Sequence, residues 1–302
     1  MKQISNLLKK HDLKANSYRK LGKTTLINTN DGKIVIKEKN NNQNKIYDYL
    51  NSRSFRYYPE IVFEDDKYYV TKYIDDIEIP LEQKMIDMID LVSLLHNKTT
   101  HYKEVDLDDY KKIYEDVKNN IEYLDGYYKD IISVIETKVY MGSDEYLLAR
   151  NISKILSSIN YCRNEIDKWY ELINQKRKQR FVVLHNNLEV EHFIRDTNSY
   201  LVSWDKSKID IPIFDLYKLY KRCCLEYDFE SILKRYESNY PLLEEERLLF
   251  FILISLPDKL ELDNSMYENT KLISKQIDVL YKTENLLSQY YSAKKENYSK
   301  DK

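Results

Sequence analysis

The stretch FVVLHNNLEVEHFIRDTNSYLVSWDKSKIDIPIFD, residues Phe181 to Asp215, decides how this sequence is interpreted. An apolar run from Phe181 to Leu184 predicts a buried strand, and a polar loop follows it. Two further short strands are predicted, from His192 to Arg195 and from Tyr200 to Trp204, because a turn rich in Asp, Thr, Asn and Ser separates them. The pattern gathers His, Asn and Asp side chains at strand ends, which is a common position for a functional site.

This pattern resembles the catalytic and metal-binding segments of the aminoglycoside phosphotransferase and choline kinase family, especially its bacterial, spore-coat CotS-like branch. The family motif is a strand, then His-Gly-Asp-Leu-x-x-x-Asn, then a hairpin and Ile-Asp-Trp-Asp/Glu, then a segment ending in Asp-Leu. The residues that keep the family's types and intervals are His185, Leu188, Trp204, Asp205, Pro212, Asp215 and Leu216. The resemblance implies an α+β, bilobal protein kinase-like fold. We expect a small antiparallel-sheet N-lobe with one helix over residues 1–75 and a large, mainly helical C-lobe over residues 76–302.

Four positions carry chemical groups that differ from the family motif. Asn186 stands where the family has Gly, and Asn187 stands where it has the catalytic Asp. His192 and Ser203 stand where it has a metal-binding Asn and a metal-binding Asp. Phosphoryl transfer needs metal ions on the phosphates and a carboxylate that accepts the proton of the attacking hydroxyl. Because an amide has no useful basicity and Mg²⁺ prefers hard oxygen donors, we expect a catalytically degenerate protein, a pseudokinase.

One rearrangement would preserve metal binding. Asp205 lies two residues beyond Ser203, and alternate side chains of a strand share a face. If both residues lie on a strand, Asp205 takes the position of the lost metal ligand, with Glu189 or Glu191 from the loop as additional ligands. The family already has an acidic residue at the position of Asp205, however, so this carboxylate needs no new role.

The N-terminal part predicts a sheet that covers a nucleotide. Residues 24–38 have a hairpin signature, with TTLINT and KIVIKE on either side of Asn-Asp-Gly. The resemblance implies that Lys37 binds the α and β phosphates of ATP. The alternative is a solvated charge at a strand edge, which is common for lysine. The next helix, predicted within residues 40–52 after a polar turn, has no Glu to hold Lys37, and Asp48 is the nearest acidic substitute.

The resemblance implies two further sets of residues. The strand pair IVFE and KYYVTKYI leads to Lys72, Tyr73 and Ile74, whose backbone groups are expected to face an adenine. His185 and Asp215 are expected to brace the catalytic loop through buried hydrogen bonds, which are costly to break.

Helices are expected in most of the rest of the chain, because apolar residues recur there at three- and four-residue steps. The predicted ranges are 1–20 as a helical lead-in, a helix after Pro80, and then 107–136, 144–175, 215–239, 244–256 and 266–291. Gly126 predicts an interruption and Gly142 a connection between helices. We expect His96 to be structural rather than a metal ligand, since no other His or Cys lies at metal-binding spacing. Residues 293–302 are polar and expected to fray.

The run Lys-Arg-Lys-Gln-Arg at residues 176–180 is the densest basic segment of the chain. Its two interpretations are a solvated linker before the strand at Phe181 and a patch for phosphate or an acidic partner. The absence of interleaved aromatic residues makes it a poor nucleic-acid site.

Composition excludes several classes of function. The 302 residues include 48 basic and 50 acidic ones, and the formal charge of -2 provides no overall attraction to nucleic acid or anionic membranes. The three cysteines do not form a disulfide framework, and no signal-like apolar run occurs at the N-terminus, so we expect a cytoplasmic protein. The longest apolar run, Leu248 to Leu256, is about half of the roughly 20 residues that a membrane helix needs. The chain has four glycines, and this low number argues against a glycine-rich phosphate-binding loop.

Taken with the resemblance, these observations predict a bacterial pseudokinase that serves as a binding or scaffolding module for a protein partner or a small-molecule ligand. ATP and Mg²⁺ are the possible cofactors. The first alternative is an active ATP-dependent phosphotransferase with an alcohol group as acceptor and a rearranged metal site. The second is a structural protein of a coat or envelope.

Overall fold

The computed structural model describes residues 2–22, 24–39 and 43–300. Residues 40–42, at the start of the range 40–52 predicted as a polar turn and a helix, lie outside these ranges. The helices are α1 (Lys2–Lys10), α2 (Gln43–Ser52), α3 (Leu81–Thr99), α4 (Leu107–Glu136), α5 (Ser143–Asn174), α6 (Ile213–Cys223), α7 (Phe229–Asn239), α8 (Glu244–Ser255) and α9 (Met266–Lys300). The strands are β1 (Ala15–Leu21), β2 (Thr24–Thr29), β3 (Gly32–Glu38), β4 (Ile61–Glu64), β5 (Tyr68–Lys72), β6 (His101–Glu104), β7 (Lys178–Leu184), β8 (Phe193–Arg195), β9 (Ser199–Leu201) and β10 (Lys208–Asp210).

The chain divides into two compact units. The sheet unit comprises Met1–Thr100 and Val182–Ile209, and the helical unit comprises His101–Phe181 and Asp210–Lys302. The antiparallel sheet in the N-terminal part and the mainly helical remainder confirm the predicted α+β class. Residues 182–209 belong to the sheet unit, and the expected lobe boundary near residue 75 stays a prediction.

The sheet unit is built on a five-stranded antiparallel sheet in the order β1-β2-β3-β5-β4. The predicted hairpin is present: Thr24 pairs with Lys37 and Thr29 with Gly32, and Gly32 has φ 121°, a backbone conformation that glycine adopts at little cost. Its core cluster consists of Leu7, Leu8, Ile27, Ile34, Ile36 and Val70. Helix α1 therefore covers the sheet through two adjacent leucines.

The predicted helical lead-in over residues 1–20 is wrong in its second half. Helix α1 ends at Lys10, and Asp12 has a left-handed φ of 56°. Residues 15–21 then form β1, in which Tyr18 pairs with Ile27 of β2. A polar stretch with few apolar residues shows no clear period, so pairing with its neighbour decides its structure.

The helical unit contains the predicted long helices. Helices α4 and α5 begin and end within one residue of the predicted ranges. Gly142 is the residue before α5, as expected, but Gly126 does not interrupt α4. The range 215–239 contains two helices, α6 and α7. The buried face of α5 consists of Leu148, Ile155, Ile159, Cys162, Ile166, Trp169 and Ile173.

Arg180, the last residue of the basic run, lies neither in a solvated linker nor in a surface patch for phosphate or an acidic partner. Arg180 is buried, and its guanidinium forms hydrogen bonds with both carboxylate oxygens of Glu246 in α8. The same guanidinium donates to the carbonyl of Pro241 over 2.9 Å and lies 4.2 Å from the ring centre of Tyr240. Lys176 forms an ion pair of 3.1 Å with the buried Glu245. Both cations therefore have internal partners, which sequence alone does not show.

The last helix includes residues 293–300 of the segment expected to fray, whereas residues 301 and 302 lie outside the described part of the chain. Fraying itself stays a prediction. None of the helices in the described ranges combines the length and the apolar character needed to cross a membrane.

Candidate functional site

The loop after β7 contains a left-handed residue where the family motif has glycine. Asn186 has φ 61°, a conformation that Asn adopts more readily than most residues with a Cβ. Its side-chain amide donates a hydrogen bond of 2.7 Å to the backbone carbonyl of Lys206. The replacement of Gly by Asn is therefore compatible with the loop conformation.

His185 connects this loop to the segment that follows β9. The imidazole is fully buried, and its Nε2 lies 2.8 Å from the carbonyl oxygen of Val202. Because a carbonyl only accepts, Nε2 carries the proton. The ring also packs edge-to-face on Trp204, with 4.8 Å between ring centres, and the Trp204 Nε1 donates to the carbonyl of Leu201 over 2.7 Å. These contacts support the predicted role of His185 as a brace, which stays a prediction. Asp215 is buried in the first turn of α6, and its bracing role also stays a prediction.

Asn187, at the position of the family's catalytic Asp, is buried and hydrogen-bonded on two sides. Its Oδ1 accepts a hydrogen bond from Lys206 Nζ over 3.2 Å, and its backbone carbonyl lies 2.7 Å from His192 Nδ1. The shorter contact requires a proton on Nδ1, so the contact of 3.3 Å between Asn187 Nδ2 and the same nitrogen brings two donors together and is not a hydrogen bond. The amide oxygen of Asn187 thus faces a cation.

Lys206 is the residue of this site that the sequence analysis missed. It follows Trp204 by two positions, where a strand was expected to end. Instead, residues Trp204–Lys206 form a single 3₁₀ turn, and Ser203 before it has φ 66° and ψ 48°. A left-handed serine is uncommon, so no sequence signal predicts that the chain turns Lys206 back toward Asn187.

The predicted strand from Tyr200 to Trp204 is shorter in the structure, since β9 ends at Leu201. The strand predicted from His192 begins at Phe193, because His192 ends a 3₁₀ turn that starts at Val190. Ser203 and Asp205 therefore do not alternate along a strand, and the expectation that they share a strand face is wrong. Metal binding by Asp205 stays a prediction.

Lys37 lies on β3, between Thr24 of β2 and Tyr69 of β5. Burial lowers the pKa of its ammonium group, and the negative charge of Asp205 acts in the opposite direction. Among the described residues, Asp205 is the acidic group that acts on this pKa, whereas the expected substitute, Asp48, lies exposed on α2. The negative charge that acts on Lys37 therefore lies in the 3₁₀ turn and not in helix α2, where an acidic partner was expected.

A pocket of about 440 Å³ in the sheet unit brings most of the predicted site residues together. Its lining consists of Thr24, Leu26, Val35, Lys37, Tyr47, Pro59, Tyr69, Thr71, Lys72, Tyr73, Ile74, Glu191, His192, Ile194, Val202, Ser203 and Trp204. The predicted nucleotide-binding residues and two of the three predicted metal ligands thus share one pocket. The lining combines apolar side chains, such as Leu26 of β2 and Val35 of β3, with charged and polar ones, such as Lys37, Glu191 and Ser203.

Two of the three predicted adenine-facing residues use their backbone N–H groups within the protein. The N–H of Lys72 donates to the carbonyl of Glu60 over 3.3 Å, and that of Tyr73 donates to the carbonyl of Lys33 over 3.1 Å. The ammonium of Lys72 forms an exposed ion pair of 3.0 Å with Glu60. Within the described residues, the N–H of Ile74 makes no hydrogen bond, and its predicted role toward an adenine stays a prediction.

The predicted metal ligands do not form a site suited to Mg²⁺. They are a carboxylate (Asp205), an imidazole (His192) and a hydroxyl (Ser203), whereas Mg²⁺ favours an octahedral set of hard oxygen donors. Glu189, a proposed additional ligand, lies 3.9 Å from His192 Nδ1, and Glu191 lines the pocket. In the described ranges, three or more His, Cys, Asp or Glu side chains do not converge in a way that could hold a metal ion. His96 is buried at the end of α3, as expected for a structural histidine.

No protein-family model matches the sequence, and no curated protein matches it. Solved structures do share the fold. An aminoglycoside phosphotransferase from Alicyclobacillus acidocaldarius has a TM-score of 0.61 and 9% sequence identity, over 91% of this chain and 92% of that chain. The AMP-bound complex of a spectinomycin phosphotransferase has a TM-score of 0.53 and 12% identity, over 93% and 97% of the two chains. A choline kinase from Streptococcus pneumoniae has a TM-score of 0.50 and 16% identity, over 96% and 99%. The chain therefore has the protein kinase-like fold found in aminoglycoside phosphotransferases and choline kinases.

Proposed function

We propose that the sheet unit binds a nucleotide in the pocket between β3 and the Trp204 turn and does not transfer its phosphate. The observation that supports this proposal most directly is the environment of Asn187. The side chain at the catalytic position is an amide whose oxygen already accepts a hydrogen bond from the Lys206 ammonium. Such a group can neither accept a proton from a substrate hydroxyl nor present a negative charge to a metal.

Nucleotide binding is supported by the pocket and by the ligands of proteins with the same fold. Spectinomycin phosphotransferase has been solved with AMP, and also with ADP and spectinomycin. Here Leu26 and Val35 give the pocket an apolar wall for a base, and the N–H of Ile74 supplies a hydrogen-bond donor for it. The half-buried ammonium of Lys37 supplies a positive charge for phosphates in a partly desolvated position, where an ionic hydrogen bond is strong.

A thermal-shift titration with ATP, ADP, AMP and adenosine tests the proposal, because a ligand that binds the native state raises the unfolding temperature. We expect a rise with nucleotides and no production of ADP above the blank. The variant Val35→Trp fills the pocket and should abolish the shift. Its matched control is Val62→Trp, since Val62 lies exposed on β4. Unfolding temperatures that do not respond to any of these compounds would refute nucleotide binding.

A second candidate is an active phosphotransferase that relies on Asp205. The observation in its favour is that the negative charge of Asp205 acts on the pKa of Lys37, a residue of the pocket lining. Transfer of radiolabel from ATP to an alcohol, lost in Asp205→Ala, would establish this function and exclude the non-catalytic one.

A further inference from the structure

The candidate site fits Mg²⁺ poorly, but it contains positively charged side chains that can bind phosphate in place of a metal ion. Two lysines belong to the candidate site and lie on different elements. Lys37 lines the pocket from β3. Lys206 contacts Asn187, which in turn binds His192 in the pocket lining through its backbone carbonyl. One carboxylate, that of Asp205, acts on Lys37. Lys72 and Glu191 also line the pocket, and a formal count of all five charged side chains gives +1 without any metal ion.

Lys206 can reach a ligand without disturbing the core. Its side chain is exposed, and it is held at 3.2 Å by a neutral amide oxygen rather than by a carboxylate. Release of its ammonium from Asn187 therefore breaks one neutral-acceptor hydrogen bond. A phosphate oxygen would replace it with a stronger, doubly ionic one, and the four-carbon stem of lysine allows this movement.

We infer that the pocket binds nucleotide phosphates directly through Lys37 and Lys206, without a divalent cation, and that free ATP is its preferred form over Mg-ATP. This inference rests on the proposed nucleotide binding. Mg²⁺ removes two negative charges from the triphosphate and occupies the oxygens that the lysines would bind. In the described residues, the carboxylates and the imidazole near the pocket do not converge as a metal-binding group, so this loss has no compensating gain.

Isothermal titration calorimetry with ATP in EDTA and with ATP in excess Mg²⁺ tests the inference. We expect tighter binding in EDTA and weaker binding on addition of Mg²⁺. The variant Lys206→Met should weaken binding in EDTA roughly tenfold, the effect of losing one hydrogen bond between charged groups. The matched control is Lys67→Met, because Lys67 lies exposed in the turn between β4 and β5. Circular dichroism verifies that both variants fold.

The outcomes separate this inference from the proposed function. Binding that requires Mg²⁺ would overturn the inference and leave nucleotide binding intact. Equal affinities for the Lys206→Met and Lys67→Met variants would remove Lys206 from the site. A chain that binds ATP in neither buffer would overturn both proposals.

Discussion

Two residues of the candidate site, Asn186 and Ser203, adopt left-handed backbone conformations without being glycine. Asn186 replaces the glycine of the family motif, and its side chain contributes a hydrogen bond that glycine cannot make. Ser203 determines where Lys206 lies, since it precedes the 3₁₀ turn that carries this lysine. Backbone conformation at single residues is therefore as important for this site as side-chain chemistry.

The left-handed conformation of Ser203 gives a testable prediction. Replacement by Val should lower the free energy of unfolding by about 1–2 kcal/mol, because a β-branched side chain clashes with the backbone in this conformation. Replacement by Gly should be neutral or stabilising, since glycine adopts positive φ without strain. Urea denaturation of both variants measures the difference. Equal stabilities would contradict the conformation described for residue 203.

At the residue scale, sequence predicts positions that depend on chain order better than positions that depend on turn geometry. His185 and Asn187 lie in the loop that follows β7, as the interval predicts, and their roles stay predictions. The contact between Lys206 and Asn187 requires a left-handed serine followed by a 3₁₀ turn. The expected face shared by Ser203 and Asp205 assumed a strand, and a neutral serine gives no signal against that assumption.

At the scale of elements, strand β7 and helix α8 are joined by the buried pair of Arg180 and Glu246. Glu246 also accepts a hydrogen bond of 2.9 Å from the N–H of Leu243 at the start of α8. The carboxylate of Glu246 therefore accepts hydrogen bonds both from Arg180 of the strand and from the start of the helix. The composition of the basic run does not indicate that Arg180 is buried, because alternate residues of a strand face opposite directions.

Removal of the carboxylate should destabilise the helical unit strongly. We expect Glu246→Ala to lower the free energy of unfolding by about 3–5 kcal/mol, because a buried guanidinium is left without its counter-charge. Glu244→Ala, at an exposed position in the same helical turn, should change stability by less than about 0.5 kcal/mol. Urea denaturation followed by circular dichroism compares the two. If Arg180→Met/Glu246→Leu is less stable than Glu246→Ala, the account of an unpaired buried charge is wrong.

The elements themselves were predicted with unequal success for physical reasons. Helices α4 and α5 have 30 and 32 residues with a sustained apolar period, so their bounds could be predicted closely. Strand β1 is short and polar, and its structure comes from pairing with β2. The break between α6 and α7 falls at residues 224–228, which contain neither proline nor glycine. Asp228 starts the second of these helices by accepting a hydrogen bond from the N–H of Glu230, a signal that could have located the break.

At the scale of the whole molecule, ionisable groups buried in the helical unit predict a loss of stability in alkali. Burial raises the pKa of Cys162 and of Cys223 to about 12 each, and it raises the pKa of Tyr128. The native state keeps protons that the unfolded chain releases above about pH 8.5 for thiols and about pH 10 for tyrosine. This contribution to stability is complete below those values and is lost as the pH rises toward 12.

The free energy of unfolding should therefore decrease between about pH 9 and pH 12, as measured by urea denaturation at a series of pH values. In Tyr128→Phe the slope with pH should be shallower, because one buried phenol no longer contributes. Tyr140→Phe should keep the parental slope, since Tyr140 is 89% exposed. Identical slopes in all three proteins would show that the buried phenol does not govern alkaline stability.

The distribution of the two tryptophans provides each unit with its own optical reporter. Trp204 lines the pocket of the sheet unit, and Trp169 is buried in the helical unit near Tyr110, with 6.1 Å between ring centres. Fluorescence of a Trp169→Phe protein would thus record ligand entry, whereas a Trp204→Phe protein would record melting of the helices. A single pair of emission spectra can follow the two units separately without any attached dye.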